Sequence, residues 1–141
     1  MIKEFAGEYS WLSNFTPVKV KLGGILFPSV EHAYVSAKSD SIEFKILCSK
    51  GDLTAGQVKR KGRQVPIPRD WGTRKLEIMT ELLTQKFSQD LFRVLLLATG
   101  SQTIQEGNTW GDTFWGVELH TGDGENNLGK IIMEIRDQLR K

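Results

Sequence analysis

The chain has 141 residues, of which 39% are hydrophobic and 26% charged, and its formal net charge is +2. That length supports one sizeable core, so a single domain over residues 1–141 is expected, and the near-neutral balance excludes a global field that would drag the protein onto nucleic acid or membranes. One cysteine excludes an intramolecular disulfide and a Cys-based zinc cluster, no apolar run reaches membrane-spanning length, and no charged-then-apolar leader opens the chain.

Residues 1–5 are expected to form a short strand. Glu8 to Pro17 lacks a sustained period and reads as an ordered loop, whose aromatics Trp11 and Phe15 need either core or ligand to cover them. Val18 to Leu22 alternates and predicts a half-exposed strand, Gly23-Gly24 a hairpin turn, and Ile25 to Phe27 the returning strand. Ser29 then caps a helix running to Lys38, with Pro28 before it and Glu31 in its first turn. Glu31, Tyr34, Val35 and Lys38 fall on one face, and the Lys38 side chain leans back towards Glu31 over roughly 10 Å of helix at about 1.5 Å per residue.

Ser39-Asp40-Ser41 predicts a cap for a short helix over 42–48, and Thr54 one for a helix over 54–61. Cys48, among Phe44 to Leu47, reads as a small buried hydrophobe rather than a nucleophile. A strong helix follows, with Leu76, Ile78, Met79, Leu82, Leu83 and Phe87 on its buried side and Trp71 at its start. Asp90 to Thr99 predicts a mostly buried helix closed by Gly100. Short strands are expected at Thr103 to Glu106 and Val117 to Leu119, and a last helix from Leu128 with Ile131, Ile132, Ile135 and Leu139 inward. The pattern is α+β with helices dominant.

Two stretches stand out chemically. Lys45 to Lys75 holds nine Lys/Arg against Asp52 and Asp70, which suits phosphates, with Arg60, Arg63 and Arg74 the preferred bidentate donors; a solvated face is the bland alternative. Asn108 to Gly116 packs Trp110, Asp112, Phe114 and Trp115 among glycines, as a loop closing over a flat ligand would, although Asp112 also reads as a plain turn residue and Trp110 as core. Dinucleotide-binding, P-loop, zinc-protease and nucleophile-elbow signatures are absent, and His32 and His120 are too few for a His-based metal site. His32 reads as a packing or orienting residue. Carboxylates beside aromatic platforms suit cleavage of a glycosidic bond, and a desolvated lysine in the same site could instead attack the anomeric carbon.

Four blocks together resemble the NADAR family of YbiA-like N-glycosidases: Leu12-Ser13-Asn14-Phe15; Ser29 to Tyr34 with Ala37-Lys38; Trp71, Lys75 and Ile78-Met79 leading into Lys86-Phe87; and Asp112 to Gly116 running on to Asn127-Leu128-Gly129-Lys130 and Met133. The resemblance implies a compact, mainly helical α+β domain, acting without metal or cofactor on N-glycosidic bonds of ribose. It places Glu31, Lys38 and Asp112 at catalytic positions, and Asn14, Phe15, Tyr34, Trp71, Trp115 and Gly116 around the substrate. Family members remove ADP-ribose from guanine in nucleic acid, or cleave phosphorylated ribosylamino-pyrimidine intermediates of riboflavin synthesis. The expectation is a cytoplasmic, non-membrane enzyme, monomeric or weakly oligomeric, whose partner is an ADP-ribose-containing or other N-ribosyl substrate, ADP-ribosylated DNA or RNA included. A binding module for ADP-ribose or nucleic acid without turnover is the rival from another class.

Overall fold

Gly23 and Gly24 both adopt positive φ (58° and 80°), the left-handed pair that turns a strand tightly back on itself, and they join β1 (Pro17–Leu22) to β2 (Ile25–Ser29) in a computed structural model that describes residues 1–141. The expected alternation holds: Val18 and Val20 are buried, Lys19 and Lys21 exposed. The backbone divides into two units, one of Asn14–Lys86 and one of Met1–Ser13 with Phe87–Lys141.

In the first unit the hairpin delivers the chain to α1 (Val30–Ser36), followed by α2 (Ile42–Ser49) and α3 (Ala55–Gly62). Each starts on a hydroxyl cap: Ser29 accepts from the His32 amide, Ser41 from that of Phe44, and Thr54 from that of Gln57 in a full capping box. The long helix α4 (Trp71–Ser88) clips the hairpin edge, where Gln85 exchanges two hydrogen bonds with the Lys21 backbone at 2.7 and 2.6 Å. Val20, Phe27, Val30, Val35, Val58, Met79, Leu82 and Leu83 are buried, and each such side chain contributes about 1.5–3 kcal/mol. Leu76, expected on the buried side, is 38% exposed at the outer edge of the α4 stripe.

The second unit contains α5 (Asp90–Ala98), β3 (Gly107–Asn108), β4 (Val117–Glu118) and α6 (Asn127–Leu139). Gly7–Leu12, expected as loop, forms a 3-10 helix, and Trp11 within it meets Phe87 edge-on with ring centroids 6.5 Å apart. Residues 1–5 and 103–106 share only one parallel bridge, Ile2 with Ile104, because no further backbone pairs extend it. Helix α5 is amphipathic rather than mostly buried: Phe92 and Leu96 face inward while Leu91 and Val94 are 65% and 60% exposed. Leu128, Ile132 and Ile135 of α6 are buried, with Ile131 and Leu139 half-buried.

Candidate functional site

Helix α1 is buried along its whole length, Glu31 included. Its N-terminus is bracketed by His32. The Leu53 carbonyl can only accept, so Nε2 donates to it at 2.7 Å, and Nδ1 then accepts from the Ser29 hydroxyl at 2.6 Å. Both ring nitrogens of His32 are thus engaged with the chain itself, which fixes the orientation of the ring. The Glu31 amide donates to the Asn14 backbone carbonyl at 3.1 Å, and Asn14 Nδ2 reaches Met79 Sδ at 3.5 Å while Asn14 Oδ1 is buried without a hydrogen bond.

Lys38 lies one residue past the Ala37 C-cap, where its amide donates to Val35 at 3.0 Å in a tightened last turn. Its Nζ sits 5.6 Å from the Tyr34 ring centroid, and Tyr34 in turn packs on Trp71 with centroids 5.3 Å apart. Burial lowers the Lys38 pKa from its ordinary 10.5. The Glu31 carboxylate opposes that shift, and the charges of Lys59, Arg63 and Lys75 add to it. Helix α3 comes this close because position 62 is glycine: a Cβ there would stand 2.8 Å from Val35 Cγ1 and 3.6 Å from Lys38 Cδ. Thus Glu31, Tyr34, Lys38, Trp71 and Arg63 form one constellation, with Phe15 beside it under Lys59, whose Nζ is 5.8 Å from the ring. Arg60 is exposed on α3, and Arg74 is paired with Asp70 at 3.3 Å. An amine with a lowered pKa beside a carboxylate and an aromatic face can act as a nucleophile towards an electrophilic sugar carbon.

In the second unit Asp112 organises its own loop. Its Oδ1 accepts from the amides of Phe114 and Trp115 at 3.1 and 2.9 Å, and its backbone exchanges two bonds with the side chain of buried Asn108. Phe114 and Trp115 pack edge to face at 4.8 Å. Gly116 is obligatory, since a Cβ would collide with the Glu106 carbonyl and carboxylate. Trp110 is 62% exposed rather than core. Asn126, in the left-handed region at φ 54°, ties the loop down by accepting from the Glu106 amide and donating to the Ile104 carbonyl, both at 2.9 Å. Asn127 Nδ2 donates to the Phe114 carbonyl at 2.9 Å.

The model of the NADAR domain matches residues 2–140. The chain belongs to the NADAR family. Among NADAR relatives, the N-glycosidase YbiA of Escherichia coli is 33% identical over 135 residues, covering 94% of this chain and 82% of that protein. An N-glycosidase of Nostoc punctiforme is 31% identical, covering 94% and 86%. A riboflavin biosynthesis protein of Vibrio vulnificus is 32% identical over 95% of this chain, which spans only 36% of that longer protein. The NMR structure of Escherichia coli YbiA superposes with a TM-score of 0.84 at 29% identity, covering 99% of this chain and 83% of that one. The mainly helical α+β fold is therefore that of YbiA.

Several residues that shape these local arrangements, each within its own unit, carried no isolated signal in the sequence. Gly62, Asn108 and Asn126 act through close approach or through backbone partners distant along the chain. Cys48 is buried, and burial pushes its thiol up to about 11, as suits an inert side chain. No group of three or more His, Cys, Asp or Glu side chains is arranged to hold a metal ion, and no helix is long and apolar enough to cross a membrane.

Proposed function

We propose that this chain is an N-glycosidase that hydrolyses the bond between a ribose and a nitrogen base, with ADP-ribosylated guanine in nucleic acid or nucleotides as its substrate. One observation carries the reading: Lys38 is an amine of lowered pKa held over Tyr34 beside the Glu31 carboxylate. The N-glycosidase names of its relatives support the reaction class. In this mechanism O4′ of the ribose takes a proton as the C1′–O4′ bond opens, leaving the base joined to C1′ as an imine. Neutral Lys38 Nζ adds to C1′, and the base takes a proton and leaves. Water then hydrolyses the lysine imine, returning the amine and the sugar aldehyde, which recloses. Glu31 and Asp112 are the proposed proton donors and acceptors. The alternative route has Glu31 position a water while Asp112 stabilises the oxocarbenium-like centre and Lys38 only tunes charge.

Arg63, already close enough to act on Lys38, is the favoured phosphate donor, with Arg60 beside it on α3. Asn14, Trp71, Trp115 and Gly116 complete the proposed substrate surround. The riboflavin-related name of the Vibrio relative favours phosphorylated ribosylamino-pyrimidines as a second substrate class. A reducing cytoplasm fits a chain whose one thiol is buried. The deciding experiment incubates the protein with ADP-ribosylated guanine in DNA, and separately with ribosylamino-pyrimidine phosphates, and identifies products by mass. Released ADP-ribose supports the reading. Tight binding without product, kept in Lys38→Ala, would make the chain a binding module instead.

A further inference from the structure

Helix α5 turns an uninterrupted apolar stripe towards solvent. Leu91, Val94, Leu95 and Ala98 recur at i, i+3, i+4 and i+7, so they share one face, opposite the inward Phe92, Leu96 and Thr99. Leu91, Val94 and Ala98 are exposed and Leu95 is half-buried. A solvated helix face carries charge instead, as α6 does in the same unit with Lys130, Glu134 and Asp137 exposed. The exposed pair Ile42 and Ile46 on α2 makes no comparable stripe, since Glu43 lies exposed beside it.

The two ends of the stripe differ in charge. Asp90 stands in the first turn of α5, where a 3.8 Å ion pair with Arg93 leaves its side chain 99% exposed. At the other end two arginines of α6 close the helix: Arg136 Nη1 donates to Thr99 Oγ1 at 2.9 Å, and Arg140 donates to the Gly100 carbonyl. Arg140 also pairs with Asp137 at 3.7 Å and keeps part of its side chain exposed. Acid at the positive end and guanidinium at the negative end both reinforce the helix dipole. Such a face is complementary to itself when turned end for end. With a two-fold axis across the Val94–Leu95 step, Leu91 of one copy meets the small Ala98 of the other, Val94 meets Leu95, and Asp90 reaches the Arg140 end. A lipid surface would leave the acid and the base at opposite ends without partners.

We propose that this face of α5 is a homodimer interface, covered by a second copy of the chain in antiparallel two-fold register. The helix has nine residues, roughly 13 Å at about 1.5 Å per residue, and alone is too short for the roughly 1,200–2,000 Å² of a standard stable interface. The dimer is therefore weak and forms at micromolar to millimolar concentration. It does not depend on the reaction assigned to Lys38.

Sedimentation equilibrium of the full chain across that concentration range reads the mass directly. A rise from 15.9 kDa towards twice that value is expected. Leu91→Glu and Val94→Glu put an unpartnered charge into the interface and should weaken association at least about tenfold. Ile46→Glu, at an exposed position on α2, should leave it unchanged. Asp90→Arg and Arg140→Glu should each weaken self-association by setting like charges together. Mixing those two variants should restore a dimer, because each end of the mixed pair then sets an arginine against an acid. Circular dichroism checks the fold of every variant. A wild type that stays at 15.9 kDa throughout, association that survives both Leu91→Glu and Val94→Glu, or folded charge variants that remain monomeric when mixed would overturn the interface.

Discussion

Lys38 owes its proposed reactivity to opposed effects whose balance can be shifted one residue at a time. Burial and three neighbouring cations favour its neutral form, while Glu31 favours the ammonium. If the neutral amine attacks, kcat/KM should rise with pH as Lys38 loses its proton, and the limb should lie below the ordinary 10.5. Lys59→Ala removes a repelling charge, so the limb should move to higher pH; Glu31→Gln removes an attracting one, and any residual activity should show it lower. A limb unmoved by Lys59→Ala would mean that another group titrates. Borohydride during turnover should trap a ribosyl adduct on Lys38, and Lys38→Ala should lose adduct and activity together. Lys38→Arg keeps the charge without the nucleophile. Substantial activity in Lys38→Arg, with no adduct in the wild type, would establish the direct-water route.

Elements, rather than single side chains, decide where these groups stand. Position 62 lets α3 lie against α1 at the Val35–Lys38 step, so Gly62→Ala should force the two helices apart. Overpacking of this kind costs about 1–3 kcal/mol. A lowered urea midpoint with a fall in kcat/KM is expected, and an unchanged midpoint would show that Val35 can give way. In the second unit, Asn126→Gly keeps the left-handed backbone but deletes the bonds to Glu106 and Ile104, and should still destabilise by about 1–3 kcal/mol. How much of this was legible follows from its range along the chain. Ser29, Ser41 and Thr54 announce their helices because a cap and its amide are three residues apart. Gly23-Gly24 fixes a hairpin for the same local reason. The pairing of β3 with β4 is not legible locally, because Gly107 meets Val117 across an intervening loop, whereas α1 ends before Lys38 in a tightened turn made by its own neighbouring residues. Asp112 reads from the sequence either as a catalytic residue or as a plain turn residue, and its hold on the Phe114 and Trp115 amides is the loop-building role, beside the catalytic one proposed.

At the scale of the whole molecule, a net charge of +2 conceals two different uses of lysine and arginine. The basic end of α3 stays at the surface, where Arg60 and the C-cap residue Arg63 are exposed, while the exposed Arg74–Asp70 pair adds little, about 0–1 kcal/mol at most. Lys86 is the opposite case. It is wholly buried on α4, and burial pushes its pKa down to about 7 from 10.5. Between those values the folded chain holds Lys86 neutral while the unfolded chain holds it charged, so unfolding takes up a proton. Stability should therefore climb with pH across that window, by up to about 1.4 kcal/mol per unit from this group alone. Below about pH 7 the ammonium is charged in both states, and this contribution no longer changes with pH. Lys86→Met should accordingly flatten the rise between pH 7 and 10. Lys38 and Lys45, whose pKa values are also lowered by burial, tilt the curve in the same direction in both proteins, so the difference between the two curves isolates Lys86. Urea midpoints at pH 6, 7.5 and 9 measure that difference, and parallel curves would mean that the buried amine is stabilised in its charged form by the fold around it.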